Sequence, residues 1–222
     1  MVSGRHNDCI YFNHDGWLAR YKILRKGSRQ IMDFILPGQV FGLPACVFQI
    51  APYSVLTITA ATVSVIPFDM VDNVFEQDPA LAKTLLWSAV QDAAILGEHL
   101  VDTGRRSAYE RVSHLLLELS VRLNRAQPAG EMTLSIPLTQ ELIADALGLT
   151  AVHVNRTLRA LREDNLIAVD GRSVTIRDFE ALSLLSDFES TYLGEVSRFL
   201  QDVPAQDATG HRPIEFQLLP RT

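Results

Sequence analysis

The sequence predicts an α+β protein: a β-rich sandwich or jelly roll at the N-terminus, one long central helix, and a C-terminal helix-turn-helix closed by a β-hairpin. Three features of the pattern carry this. Apolar and polar residues alternate along much of 8–68, the apolar spacing changes to fours and threes from Asp78, and past residue 135 two short helical segments flank Gly148 and lead to an Asp-Gly hairpin signal at 170–171.

The first segment reads as the strands DCIYF (8–12), GWLARYKILR (16–25), RQIMDFIL (29–36) and SVLTITAATVSVIPF (54–68), with turns at KGS and PG. Trp17, Ala19, Tyr21 and Ile23 alternate with Leu18, Arg20, Lys22 and Leu24, and Val55, Ile58, Val63 and Val65 add β-branched density. Short strands joined by tight turns fit an antiparallel sandwich or jelly roll. Next, Ala82, Leu86, Ala89, Ala93, Leu96 and Leu100 repeat at 4-3-4-3-4 spacing. Such a seam suits a long helix that pairs with its own copy; packing on the β domain is the alternative. GRRS at 104–107 interrupts it, and Ser107 with Glu110 makes a capping box that restarts a helix through AYERVSHLLLELSVRL. After a loop and the strand MTLSI, Thr139 can cap a helix over 140–147 that Gly148 ends, and Thr150 can cap another over about 151–163. IAVDGRSVTI then reads as a hairpin. The domains expected are 1–77 (β-roll), 78–104 (dimerisation helix), 105–186 (winged helix-turn-helix) and an acidic extension, 187–222.

Composition narrows the function class. With 47% hydrophobic and 21% charged residues among 222, the chain can bury a core. It has no uncharged apolar run of about 18 residues and no signal-peptide centre, so a soluble, cytoplasmic protein with no membrane partner is expected. The net charge of −6 argues against nucleic acid only until it is placed: residues 178–222 hold three basic and eight acidic groups, and the rest of the chain is nearly balanced.

Helix, Gly-containing turn, helix and hairpin make a winged helix-turn-helix, whose second helix can enter the major groove. On its wheel Val154, Leu158 and Leu161 face inward, while Val152, His153, Asn155, Arg156 and Arg159 lie outward. Arginine matches the two acceptors on the guanine edge and asparagine can pair with adenine. An ordinary solvated face is the alternative at this stage.

From about residue 10 to 186 the chain resembles the Crp/Fnr family of bacterial transcription regulators. The resemblance is carried by GWLARY, the PGQVFG turn, RRSAYERVSHLLLEL, and above all LTQELIADALGLTAVHVNRTLRALREDNLI followed by VDGRSVTI. It implies a cyclic-nucleotide-binding-like β-roll, a homodimer on a pseudo-palindromic operator in double-stranded DNA, and RNA polymerase as a further partner. By position it assigns Arg156 to a guanine and Asn155 to a base, and it assigns Thr139, Gln140, Thr150, Arg172 and Ser173 to the phosphate backbone. Val152 stands where both the cAMP receptor and the fumarate-nitrate regulator carry a base-reading glutamate. Valine cannot accept a hydrogen bond from cytosine but can pack on a thymine methyl, so the half-site should differ there. For His153, base or phosphate contact and a solvated ring stay open.

The sensor half departs from the family. Where a cAMP site would carry a glutamate and an arginine, this chain has Leu43 and Tyr53, and no Lys, Arg or His occurs from Gln30 through Ala82. A buried cyclic phosphate would lack a cation there, so neither cAMP nor cGMP is expected. Cys9 and Cys46 are too few for an iron–sulfur cluster, which needs about four thiolates. Haem on His99 or Cys46 is not expected, and His6, His14, His99, His114 and His211 show no metal spacing, so no cofactor or metal is assigned. The family's first strands have no counterpart before Cys9, so either the gene start is misassigned or the sensor is N-terminally shortened, and the extension after Phe188 is expected to cover surface near the DNA-binding domain. Two other classes compete: a dimeric adaptor whose helix-turn-helix binds protein, and a cupin-type enzyme. The cupin needs strand histidines, and residues 15–98 contain none, so no enzyme is expected.

Overall fold

The structure is a computed structural model that describes residues 1–123, 132–171, 173–194 and 214–216. The chain forms two compact units, one of residues 1–22 and 33–93 with 214–216, the other of 23–32 and 94–194. The division falls inside the long helix, between Ala93 and Ala94. It also assigns the 23–32 hairpin tip to the second unit.

The first unit contains two antiparallel sheets. One is built on β1 (Cys9–Asp15), β4 (Val40–Phe41) and β6 (Ala61–Pro67), the other on β2 (Leu18–Ile23), β3 (Arg29–Ile35) and β5 (Ser54–Thr57). Ile10 pairs with Ile66 and Asn13 with Val63 across β1 and β6, and Arg20 pairs with Val55 across β2 and β5. Leu18, Ile35 and Val55 from one sheet meet Tyr11, Phe41, Ala61 and Val63 from the other, forming the sandwich core. The turn from β1 into β2 needs Gly16: its φ is +84°, and a Cβ there would lie 2.1 Å from the Ala60 carbonyl oxygen.

The expected single strand over 54–68 is two strands in different sheets. The chain changes sheets at 58–60, where the Ile58 and Thr59 amides donate to the Trp17 carbonyl at 2.7 and 3.3 Å. Two helices add to the predicted set, α1 (Leu43–Phe48) and α2 (Phe68–Gln77). Cys46 of α1 and Val71 of α2 pack with Ile10 and with Leu85 of α3 (Pro79–Gly104) in a second apolar cluster. The C-terminal extension divides: residues 190–193 stay on the DNA-binding unit, as expected, with the Tyr192 hydroxyl donating to Glu118 of the second unit's 108–123 helix, while its later strand lies on the β-roll. Its strand β10 (Ile214–Phe216) pairs with β6, Ile214 opposite Val63 and Phe216 opposite Ala61.

Helix α3 begins on Asp78, whose Oδ1 accepts from the Ala80 and Leu81 amides at 3.2 and 3.0 Å. Leu85, Ile95 and Asp102 are buried along it, whereas Leu86, Val90 and Leu100 are 53%, 60% and 73% exposed. Of the predicted seam, Leu86, Ala89, Ala93 and Leu100 are exposed, and Ala82 and Leu96 are half-buried.

In the second unit the capping box closes as predicted. The Ser107 amide donates to Glu110 Oε2 at 2.5 Å and the Glu110 amide to Ser107 Oγ at 3.3 Å, opening α4 (Ala108–Leu123). Helix α4 is the central element; it packs against α5 (Gln140–Leu147), α6 (Ala151–Glu163) and α7 (Phe179–Ser186). Val112, Leu115, Leu116, Leu119, Ile143, Leu147 and Leu161 are all buried. Strands β7 (Met132–Ser135), β9 (Ser173–Ile176) and β8 (Ile167–Asp170) form a three-stranded wing in that order.

Candidate nucleic-acid interface

Local chemistry sets the helix-turn-helix. Thr139 Oγ1 accepts from the Leu142 amide at 3.3 Å and opens α5; Thr150 Oγ1 accepts from the His153 amide at 3.2 Å and opens α6. Between them Gly148 takes φ +65°, the left-handed conformation that returns the chain's amides to the Ala144 carbonyl. Both threonines are exposed; at α5 the Glu141 carboxylate takes the Thr139 hydroxyl and its own amide, whereas α6 has no acid in its first turn and presents the Thr150 hydroxyl at a helix N-terminus, an arrangement suited to phosphate.

The inner face of α6 holds Val154 and Leu161, both fully buried, with Thr157 at 6% exposure. Leu158, expected inside, is half-buried, because a turn of 3.6 residues puts Thr157 nearer the middle of that face. The outer face carries Val152, 76% exposed, with Asn155, Arg156 and Arg159 exposed and His153 half-buried. Arg159 is held by Glu163 at 2.7 Å. Arg156 makes no ion pair among the described residues, which leaves its guanidinium for an external acceptor. Asn155 Nδ2 donates to Gln140 Oε1 at 3.1 Å, bringing together two residues that the sequence assigns to different contacts. In the wing Asp170 lies opposite Ser173, which is half-buried at the turn; Arg172 lies outside the described residues.

Other groups also tie down this unit: Tyr109 and Arg111 fall within RRSAYERVSHLLLEL, whereas Arg29 and Gln30 fall in no quoted motif. Arg29 pairs with Asp145 at 2.7 Å, Gln30 Nε2 donates to the Ala146 carbonyl at 3.0 Å, and an Arg111 guanidinium nitrogen donates to the Leu147 carbonyl at 3.1 Å. Together they occupy the C-terminal end of α5, where helix carbonyls lack intrahelical partners and cations are favoured. Tyr109 Oη donates to Asp164 just past α6. Burial and the Asp164 carboxylate push that phenol up to about 12, so it stays a donor at neutral pH. No local signal marks Arg29 and Gln30, which lie 116 residues from their partners.

The sensor residues are equally definite. Tyr53 is buried and its hydroxyl accepts from the Gly42 amide at 3.4 Å; Leu43 is half-buried at the start of α1. One cation does enter this unit, from outside the stretch 30–82: Arg20 of β2, 3% exposed. Its guanidinium is bidentate on Asp92, at 2.6 and 2.8 Å, with Asp33 at 3.8 Å. Burial opposes the Arg20 charge, but these carboxylates raise its pKa above the ordinary value. His99 has both ring nitrogens engaged, Nδ1 with the Met32 carbonyl at 2.9 Å and Nε2 with Glu118 at 3.0 Å. Burial pushes the Cys46 thiol up to about 11, with Cys9 and Asp8 adding to the shift.

A winged helix-turn-helix with an outward cationic second helix, in a chain that also folds an N-terminal β-roll, defines the class: a DNA-binding protein built on a sensor-type scaffold. Residues 110–185 match the Crp-like helix-turn-helix domain, and residues 2–78 match the cyclic nucleotide-binding domain. The chain is 32% identical over 185 residues to the nitrogen fixation regulation protein FixK of Rhizobium meliloti, spanning 83% of this chain and 81% of that protein. It is 30% identical over 184 residues to the transcriptional activator protein FnrL of Cereibacter sphaeroides, spanning 81% and 73%. The structure of FixK2 from Bradyrhizobium japonicum superposes with a TM-score of 0.73 at 29% identity, covering 83% of this chain and 90% of that one. The chain belongs to the Crp/Fnr family; it is a DNA-binding transcription regulator and not an enzyme. Among the described residues no helix is long and apolar enough to cross a membrane.

Proposed function

We propose that the chain acts as a homodimer on a pseudo-palindromic operator in double-stranded DNA, with α6 of each copy in the major groove of one half-site. The observation that carries this reading is the outer face of α6, where Val152, Asn155 and Arg156 are exposed together beside the capping threonines of both helix N-termini. Arg156 reads a guanine, Asn155 an adenine, and Val152 packs on a thymine methyl. His153 is half-buried and stands at the margin of this set. Thr139, Gln140, Thr150, Ser173 and Arg172 hold the phosphate backbone.

The apolar outer line of α3, with Leu86, Ala89, Ala93 and Leu100 exposed in the single chain, supports pairing with a second copy. Such a dimer sets half-site centres about 34 Å apart, one turn of duplex. In this reading the protein works in the cytoplasm, and RNA polymerase is the partner through which it acts; the similarity to FnrL, a transcriptional activator, supports that direction. Control is independent of cAMP. Arg20 is already taken by Asp92 and Asp33, and Leu43 and Tyr53 supply no charge for a phosphate.

Selection of bound sequences from a random duplex pool tests the proposal directly. A two-fold symmetric site is expected, and Arg156→Ala should cost about 1–3 kcal/mol on it while relaxing one base position. Arg172→Ala should weaken all sequences alike. If Arg156→Ala bound the selected site and random duplex as the native protein does, the readout assignment would fall. A flat salt dependence would favour the adaptor reading instead.

A further inference from the structure

Gln140 opens α5 and Asn155 lies in the second turn of α6, on opposite sides of the turn at 148–150. Taken separately, one would bind phosphate and the other a base. The structure joins them through the 3.1 Å bond from Asn155 Nδ2 to Gln140 Oε1.

A primary amide offers two N–H donors and one carbonyl oxygen with two lone pairs. The bond uses one N–H of Asn155 and one lone pair of Gln140. Asn155 keeps an N–H and Oδ1 side by side, the pattern that pairs with N7 and the amino group of adenine. Gln140 keeps both of its N–H groups, which suit a phosphate oxygen.

An exposed asparagine amide has a broad, roughly two-fold χ2 preference, so on its own it can turn over and exchange donor for acceptor. The Gln140 oxygen accepts only from the nitrogen end. We infer that Gln140 is a positioning residue for base readout, fixing the direction of the Asn155 amide and thereby the base that Asn155 selects. This inference rests on reading α6 as the recognition helix, and it makes a residue outside that helix a determinant of specificity.

The test uses substitutions that separate orientation from phosphate binding. Gln140→Lys removes the acceptor and keeps a donor for phosphate, whereas Gln140→Glu keeps an acceptor and adds a charge that phosphate repels. The full chain is titrated with its selected duplex, with duplexes changed at each base pair, and with random duplex at fixed salt; circular dichroism checks that each variant is folded. Asn155→Ala identifies the Asn155 base pair and is expected to lower preference there about tenfold. Gln140→Lys is expected to lower preference at that same pair about three- to tenfold, while its added charge strengthens random-duplex binding. Gln140→Glu should weaken every duplex while keeping that preference, and the Gln140→Lys, Asn155→Ala double variant should lose no more than Asn155→Ala alone.

Unchanged preference in Gln140→Lys, or a loss spread evenly over all duplexes, overturns the inference and leaves Gln140 as a phosphate contact only. Failure of the recognition-helix reading has a different signature, since Arg156→Ala and Asn155→Ala would then both leave the selected site's base preferences intact.

Discussion

Glu118 of α4 is fully buried, and its carboxylate gathers three donors of the second unit: Arg122 at 2.9 Å, His99 Nε2 at 3.0 Å and the Tyr192 hydroxyl at 3.0 Å. Burial alone would raise its pKa, but the charges and hydrogen bonds of His99 and Arg122 outweigh it and hold the carboxyl at about 2, against an ordinary 4.5. The folded value lies below the unfolded one, so this contribution to stability is complete above about pH 4.5 and is lost as the pH falls toward 2. A difference of that size corresponds to roughly 3 kcal/mol. Glu118→Gln keeps the volume but removes the charge facing Arg122, whose side chain is 2% exposed, and breaking a buried pair from one side costs about 3–5 kcal/mol. The two magnitudes agree. Trp17 and Trp87 both lie in the first unit, so tryptophan fluorescence does not report on this transition. Native-state hydrogen exchange of the buried α4 amides at 115–119, followed in urea, does. The variant should lose about 3–4 kcal/mol of opening free energy at pH 7 and show correspondingly less acid destabilisation between pH 4.5 and 2. Opening free energies equal to within about 0.5 kcal/mol at pH 7, or an unchanged acid profile, would refute the reasoning.

The remaining predictions concern the helices of the site and α3. Thr150→Ala should cost about 1 kcal/mol of stability and weaken DNA binding on all sequences, and Thr150→Asn should restore the stability alone; thermal unfolding beside duplex titration measures both. Leu161→Ala, at a fully buried position of α6, should cost about 2–5 kcal/mol by the same hydrogen-exchange assay, clearly more than Leu158→Ala at its half-buried neighbour. Leu86→Arg combined with Ala93→Arg should give a folded monomer in sedimentation, with helical content retained and operator binding lost; a dimer that survives both changes would show that the outer line of α3 is not the interface.

What the sequence made legible is what it determines locally. Thr139, Gly148, Thr150, Ser107 and Glu110 each act within about four residues of themselves, so both caps, the turn and the capping box follow from short stretches of sequence alone. The strand break at 58–60 was hidden because its cause is remote, in the Trp17 carbonyl on the other side of the β1–β2 turn. Helix α1 is too short for a period to show, and β10 pairs with a strand far back in the chain. Gln140 and Asn155 are both legible as site residues, but their mutual bond depends on the angle between two helices. The C-terminal end of α5 is tied by Arg111, Arg29 and Gln30, and the last two lie 116 residues from their partners in no quoted motif.

Arg20 shows the same limit with a larger consequence. Residues 30–82 hold no cation, yet the fold carries one in from β2 and neutralises it with Asp92, 72 residues away. An anionic effector would have to displace Asp92 and Asp33 from a guanidinium that is almost wholly desolvated, which argues for a different ligand chemistry or for none. The tie also acts on α3. Leu85 and Asp92 are seven residues apart and so lie almost in line along the helix, one buried and the other bound to Arg20. Leu86, Ala93 and Leu100 follow the same spacing one residue on, about 100° around the axis. Fixing Asp92 to the sheet therefore holds the rotation of α3 in the first unit with Leu86 and Ala93 outward, so the ion pair that engages the buried Arg20 guanidinium also orients the line that, on the proposed dimer reading, meets a second copy.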